Sequence, residues 1–182
     1  ELSYILNYST TGNIPRYDRL TLYYKGQLKY AQWYYGPQKW MMNAVKFNYY
    51  QPNGIFDAAK LTLAFQIYEE SRHDRQFQKS VLRNRAERVG VFSFNADFEK
   101  DIDQSNHLYF GMEYLLNRVN STAFAKDITS GELSEMSTRY PDGGSDVNSF
   151  AAYMSYKRDI REALFFSAGM RMNYQDLYAG FV

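Results

Sequence analysis

The chain has 182 residues, of which 21 are Lys or Arg and 20 are Asp or Glu, and it contains no cysteine. This balance gives no basic excess that would favour nucleic acid, and the absence of thiols excludes a disulfide framework and any cysteine metal site. Mean hydropathy is −0.56, and no apolar run reaches the roughly 18 residues that a membrane helix needs. With 18 Tyr and 13 Phe but only 4 Pro, the composition favours β-structure.

Alternation of apolar and polar residues with a period of two predicts seven strands along the chain. In chain order they are 2–9, 41–49, 60–70, 88–99, 107–118, 149–157 and 164–175. The clearest is 60–70, whose apolar positions are Leu61, Leu63, Phe65 and Ile67. Successive side chains of a strand point to opposite faces, so each strand should have one apolar and one polar wall.

The predicted connections differ in length. Short turns are expected at 51–54, 103–106 and 159–162, and long polar loops at 10–37, 73–86 and 124–147. This arrangement is typical of outer-membrane barrels, which have short periplasmic turns and longer extracellular loops. The mean hydropathy of such a barrel is low because lipid-facing and lumen-facing residues alternate. The sequence therefore predicts an all-β, antiparallel, up-and-down transmembrane β-barrel.

Aromatic residues cluster beside the short turns, where a periplasmic girdle is expected. They are Tyr49, Tyr50, Phe98, Tyr156, Phe165 and Phe166. The alternative is a soluble two-sheet sandwich with these rings in its core, which predicts tight turns at both ends.

Four motifs carry a resemblance to a known family. They are YSTTGNIPRYDRLT at 8–21, LKYAQWYYGPQK at 28–39, EESRHDR at 69–75 and RYPDGGS at 139–145. With these motifs the chain resembles the barrel domain of TonB-dependent receptors of the Bacteroidetes type, including those for heme or haemoglobin. The resemblance implies a barrel of about 22 strands with a plugged lumen. Residues 1–182 would supply about seven of those strands, without the plug domain or the TonB box.

Several polar residues on the predicted strands are expected to face the lumen and the plug. A Lys or Arg on the lipid face costs about 2–4 kcal/mol at the membrane midplane, which favours an inward position. The lumen-facing residues are predicted to be Lys60, Gln66, Glu113 and Arg171.

Candidate substrate-binding residues lie in the predicted extracellular loops. Aromatic rings offer flat surfaces for a large ligand, and arginines pair with its carboxylates. His73 could ligate heme iron or be an ordinary loop histidine, and the charged residues of 69–75 are expected to form salt bridges. The candidates are Tyr30, Trp33, Tyr35, Arg72, His73, Arg75 and Tyr140.

No catalytic motif is present: the sequence has no nucleophile elbow, phosphate loop or His-Glu-x-x-His pattern. Glu69 and Glu70 are adjacent on a strand and should point to opposite faces. His107 is expected to be a surface residue beside a turn. We therefore expect no enzyme activity, no catalytic residues, no cofactor and no resident metal.

The functional hypothesis is TonB-dependent import of heme, a ferric siderophore or cobalamin across the bacterial outer membrane. The expected partners are membrane lipid, the receptor's own plug domain, the TonB complex and the small-molecule nutrient, with no nucleic acid. Two alternatives stay open. One is a passive or secretion-linked barrel, and the other is a soluble β-rich binding domain.

Overall fold

The structure is a computed structural model that describes residues 1–181, so Val182 of the predicted barrel segment lies outside the described residues. One short helix, α1 (Tyr17–Leu20), accompanies the strands. No helix in this range is long and apolar enough to cross a membrane. The strands are β1 (Leu2–Thr10), β2 (Ile14–Pro15), β3 (Tyr23–Tyr24), β4 (Gln27–Leu28), β5 (Tyr30–Tyr35), β6 (Lys39–Tyr49), β7 (Ala58–Gln76), β8 (Val81–Asp103), β9 (Asn106–Asp127), β10 (Leu133–Glu135), β11 (Ser145–Arg161) and β12 (Leu164–Ala179).

Seven strands form one antiparallel sheet in the order β1-β6-β7-β8-β9-β11-β12. Each of these strands pairs with the next one along the chain, as in an up-and-down barrel. The number and order of the predicted strands are therefore confirmed. The remaining short strands belong to the connections, and β3 and β4 form a separate hairpin.

The strands are longer than the sequence pattern predicted, and one loop prediction was wrong. β7 runs to Gln76 and β8 begins at Val81, so 77–80 replaces the expected long loop 73–86. Charged side chains fill this part of both strands, and the backbone pairing continues as far as Arg75 opposite Leu82. Similarly, the expected loop 124–147 is confined to 128–144 and contains β10.

Strand register fixes which side chains share a face, because directly opposite residues of antiparallel strands point the same way. Leu63 lies opposite Val45 and Phe94, whereas Gln66 lies opposite Met42 and Val91. We call the side that carries Leu63 the outer face and the side that carries Gln66 the polar face.

The outer face carries a continuous apolar belt. Asn43, the polar exception on β6, accepts a hydrogen bond from the Tyr4 hydroxyl within the same face. On each of five strands the belt covers nine residues, which matches the roughly 9–11 residues that a tilted strand needs to cross a bilayer. These segments are 41–49, 59–67, 90–98, 108–116 and 166–174.

Aromatic rings line the lower rim of the belt, beside the short turns. The centroid of Phe56 lies 6.0 Å from that of Tyr49 and 5.3 Å from that of Phe98, and Phe98 stacks on Phe110 at 5.2 Å. This row has the location of a membrane-interface girdle. Phe165 does not join it, because it lies opposite Asp159 on the polar face. The bulge between Asp159 and Arg161 lies immediately beside it.

The described residues have no large fully buried side chain, and their buried apolar residues are five alanines. Leu63 and Phe65 on the outer face remain 46% and 45% exposed. A soluble sandwich covers such a face with a second sheet, and residues 1–181 contain no such layer. The belt therefore has the exposure of a surface that meets lipid.

The sheet does not close on itself within residues 1–181. β1 pairs only with β6, and β12 pairs only with β11. Both strands therefore present an unpaired edge in the described part of the chain.

Candidate functional site

A cleft of about 340 Å³ opens on the polar face beyond the belt, at the end where the sheet carries its longer connections. We call it the arginine cleft. Its lining consists of Tyr30, Trp33, Arg72, Asp74, Arg83, Arg85 and Arg139. The cleft is therefore rich in guanidinium groups and aromatic rings.

The floor of the cleft is built by the upper parts of β7 and β8. Arg72 lies opposite Arg85, and Asp74 lies opposite Arg83, so the period of two places all four side chains on the polar face. The four-residue connection 77–80 joins the two strands and includes Gln78 at a φ of 58°. This tight turn fixes the register that brings the four charges together.

Asp74 is the central anion of the floor and is 7% exposed. It forms ion pairs with Arg83 and with Arg85, the latter at 3.3 Å between Nη1 and Oδ1. A guanidinium has five N–H donors, so sharing one carboxylate leaves both arginines with donors for a further acceptor.

One wall of the cleft comes from β5, which takes the place beside β7 above the end of β6. Tyr35 lies opposite Arg72, and Trp33 lies opposite Asp74. The Arg72 guanidinium lies 5.3 Å from the centre of the Tyr35 ring. Arg16 lies 5.2 Å from the Trp33 ring and donates a 3.0 Å hydrogen bond to the Tyr35 hydroxyl. Cation–π contacts of this kind attract the rings to the guanidinium groups.

The connection between β9 and β11 supplies the last side of the cleft. Its Arg139 reaches across the polar face, with Nη1 3.4 Å from Glu70 Oε1 and 3.9 Å from Glu87 Oε1. Glu70 also pairs with Arg72 at 3.1 Å. This segment therefore folds inward over the sheet.

Two carboxylates beneath the cleft differ in their partners. Glu70 accepts hydrogen bonds from Arg72 and Arg139. Glu87 is 4% exposed and meets Arg139 only as an ion pair at 3.9 Å, and among the described residues neither of its carboxylate oxygens accepts a hydrogen bond. Burial raises the pKa of the Glu87 carboxyl, and Arg139 opposes this shift. Arg72 Nε also has no hydrogen-bond partner within residues 1–181. Buried polar groups of this kind need a water molecule or a ligand atom.

The structure brings together four of the seven predicted substrate-binding residues, because Tyr30, Trp33 and Arg72 line the cleft and Tyr35 stacks on Arg72. Tyr140 lies at its margin, where the Arg139 guanidinium is 5.7 Å from the Tyr140 ring.

The other two candidates, His73 and Arg75, point to the outer face, because they alternate with Arg72 and Asp74 along β7. His73 stacks on Tyr34 at 4.7 Å, and its two ring nitrogens lie 2.7 Å from Asn84 Oδ1 and 3.0 Å from Ser71 Oγ. Both ring nitrogens are engaged, and His73 lies on the face opposite Arg72, so these two residues do not meet in one site.

The predicted lumen-facing residues share the polar face. Lys60 pairs with Glu99 at 2.6 Å, and Glu113 pairs with Arg171. Gln66 Oε1 accepts a 3.2 Å hydrogen bond from the Trp40 indole. The four side chains therefore share one face of the sheet, and the assignment of this face to the lumen stays a prediction.

The expected salt-bridge network of 69–75 is present, but it extends further than predicted. Glu69 and Glu70 do point to opposite faces, and Glu69 pairs on the outer face with Arg88 at 3.5 Å. Sequence reasoning missed Arg83 and Arg85 as site residues, and it treated Arg139 first as part of a turn. The sequence pattern could have identified Arg83 and Arg85, because together with Glu87 they continue the two-residue alternation of β8 on the polar face.

His107 lies at the short-turn end of the polar face, far along the strands from the arginine cleft. Its ring nitrogens lie 2.6 Å from Asp101 Oδ1 and 3.2 Å from Asp159 Oδ2. The hydrogen bond to Asp101 is the main reason that the pKa of His107 is raised above 6.5, and Asp159 adds to it.

An antiparallel sheet with a nine-residue apolar belt on one face and a charged opposite face defines the class of membrane-spanning β-barrels. The sequence pattern of the outer membrane protein beta-barrel family matches residues 57–181, and the chain belongs to this family. Its location is therefore the bacterial outer membrane. A comparison with curated proteins gave no match.

Proposed function

We propose that the chain is the substrate-binding part of an outer-membrane receptor for TonB-dependent uptake of a large, scarce, iron-bearing nutrient. The arginine cleft carries this proposal. In outer-membrane barrels the longer loops are extracellular, so the cleft would open toward the medium. A ligand bound there would lie on the lumen side of the sheet, at the entrance of an import path.

The chemistry of the cleft favours an anionic ligand with flat, unsaturated groups. Arg72, Arg83, Arg85 and Arg139 line it against a single lining carboxylate, that of Asp74. Guanidinium groups bind carboxylates and catecholates through paired N–H donors, and Trp33 and Tyr35 offer ring faces. Heme, with its two carboxylates, and a ferric catecholate siderophore fit this description better than cobalamin does.

The open sheet supports a barrel larger than the seven strands described. Unpaired strand edges are not stable in lipid, so β1 and β12 need further strands beside them. The resemblance to TonB-dependent receptors implies about 22 strands and a plug domain in the lumen. In this proposal Lys60, Gln66, Glu113 and Arg171 face the plug, and the TonB complex acts on the receptor through it.

We also propose that the substrate is carried across the membrane unchanged, so that the protein is a transporter and not an enzyme. The ionisable groups of the cleft are engaged in ion pairs that position guanidinium donors. Such an arrangement suits binding better than proton transfer.

The proposal is tested by uptake into cells that lack the chromosomal gene and carry the whole receptor on a plasmid. Labelled heme, a ferric catecholate and cobalamin are supplied separately under iron limitation. We expect one of the two iron ligands to accumulate, and a protonophore to abolish the uptake. Uptake that persists in the presence of the protonophore contradicts TonB coupling and favours a passive or secretion-linked barrel.

The cleft itself is tested with the double variant Arg72→Gln, Arg85→Gln. Each charge-assisted hydrogen bond contributes about 1.5–3 kcal/mol, so uptake at limiting ligand should fall about tenfold or more. Arg75→Gln is the control, because it removes one arginine charge from the outer face of β7, outside the cleft, and should preserve uptake. Equal loss in both variants would exclude the cleft as the binding site.

A further inference from the structure

A groove of about 280 Å³ lies on the outer face, where the apolar belt meets the charged upper part of the sheet. Phe65, Phe92 and Leu116 form its walls, and Arg88 and Arg118 stand at its upper rim. It is on the opposite face of the sheet from the arginine cleft. The groove therefore opens toward the bilayer and not toward the lumen.

Gly90 forms the floor of the groove. It lies between Ile67 and Arg118 in the register, at a belt position where the neighbouring strands carry side chains. A Cβ added at Gly90 would meet no atom within 4 Å. The missing side chain thus leaves a lipid-facing depression with apolar walls.

The two arginines at the rim are 60% and 61% exposed along their side chains. Arg118 uses Nε and Nη2 on Asp146 at 2.9 and 3.0 Å, and Arg88 uses Nε on Glu69 at 3.5 Å. Each guanidinium retains further N–H donors. Lys39 also reaches Glu69 at 3.7 Å, so three cations meet two carboxylates at this rim.

We propose that this groove binds one lipid molecule with an anionic phosphorylated head group. An acyl chain lies over Gly90 between the apolar walls, and the phosphate accepts hydrogen bonds from Arg88 and Arg118. The apolar site for the chain and the basic site for the phosphate lie side by side, because the groove ends where the belt ends and the head groups of a bilayer begin. Basic side chains at that depth attract anionic lipids, and guanidinium groups bind phosphate through paired donors.

The position of the groove excludes a free anion as the favoured occupant. A free phosphate has no use for the apolar floor and walls, which are continuous with the belt that meets lipid. A lipid satisfies both parts of the site and leaves the ion pairs with Glu69 and Asp146 in place. The site is independent of the nutrient that the receptor carries.

Binding is measured by native mass spectrometry on the whole protein, purified from outer membranes and stripped of lipid in detergent. Dioleoyl phosphatidic acid is compared with dioleoyl phosphatidylcholine, which has the same chains and a neutral head group. We expect half-saturation with phosphatidic acid at a concentration about tenfold lower. Equal retention of the two lipids by the wild-type protein overturns the proposal.

Variants separate the head-group contact from the chain contact. Arg88→Gln with Arg118→Gln should remove the preference for phosphatidic acid, whereas Arg75→Gln, outside the groove on the same face, should retain it. Gly90→Leu should fill the groove and weaken the binding of phosphatidic acid. Undiminished binding of phosphatidic acid to Gly90→Leu contradicts the acyl-chain contact. Full competition by millimolar inorganic phosphate shows a site for a free anion. Either result overturns the lipid assignment.

Discussion

The strands β7 and β8 contain two regions that are held together in different ways. In the belt, residues 59–67 and 90–98 present apolar side chains outward, and Leu63 stays 46% exposed without a second protein layer. Above the belt, residues 69–76 and 81–88 carry dense charge, and Asp74 and Glu87 are 7% and 4% exposed. The lower region buries its apolar groups in lipid, whereas the upper region buries charged groups in its own network.

The comparison shows that the full length of a strand and the length of its membrane-spanning part are set independently. The belt is fixed by the hydrocarbon core and has the same nine-residue extent on several strands. The upper region continues the same backbone pairing because its ion pairs and hydrogen bonds replace the contribution of lipid. Substitutions in the two regions should therefore fail for different reasons.

The largest effect is expected from Phe65→Arg, which places a charge on the lipid-facing side of the belt. Such a charge costs about 2–4 kcal/mol at the midplane, and we expect the barrel not to assemble. Gln66→Arg, one position along and on the polar face, should assemble normally. The measurement is the heat-modifiable shift of the folded barrel on a gel. An equal folded fraction in the two variants would contradict the assignment of the two faces.

Asp74→Ala tests the upper region. It leaves Arg83 and Arg85 without their shared carboxylate, and should lower the free energy of unfolding by about 2–3 kcal/mol, less than for a fully buried pair because both arginines are partly exposed. Assembly in the membrane should persist, since the belt is untouched. Urea unfolding in detergent measures the loss, and an unchanged midpoint would show that the network contributes nothing.

A smaller, pH-dependent effect is expected from His107→Gln at the short-turn end. Because the folded pKa of His107 is raised above 6.5, the charged ring stabilises the protein below that pH, and this contribution disappears as the pH rises through the folded pKa. The wild type should exceed the variant in stability at pH 6 by more than at pH 9. A difference that does not change with pH would exclude charged pairing with Asp101 and Asp159.

The smallest effect is expected from Lys60→Gln on the polar face. Its pair with Glu99 is short, at 2.6 Å, but the two side chains are 46% and 42% exposed. Such a pair contributes less than about 1 kcal/mol, so urea unfolding should change little. A loss of unfolding free energy as large as that of Asp74→Ala would mean that water reaches the polar face less than the exposure of Lys60 indicates.

The sequence was sufficient to predict the belt, because a strand with one face in lipid needs apolar side chains at alternate positions. The seven strands, their order and the orientation of Lys60 and Gln66 followed from that pattern alone. Asn43 interrupted it, and only the structure shows that the Tyr4 hydroxyl on the adjacent strand donates a hydrogen bond to the Asn43 amide oxygen.

The strand pairing of the upper region could not be predicted from hydropathy, because both faces of residues 71–76 are polar. Its strand pairing depends on contacts between Asp74 and Arg83 or Arg85, which lie on the next strand. The long loop expected at 73–86 was wrong for that reason. Arg139 reaches the cleft through a loop conformation that has no signature in the sequence.

Contact of one face of this sheet with lipid is tested most directly by spin-label accessibility along β7, in single-cysteine variants at positions 60 to 67 of the whole protein in lipid vesicles, with any other cysteine replaced by serine. Labels at 61, 63, 65 and 67 should collide with membrane-dissolved oxygen, and labels at 60, 62, 64 and 66 should not. Accessibility without this alternation, or with the opposite phase, would contradict the account.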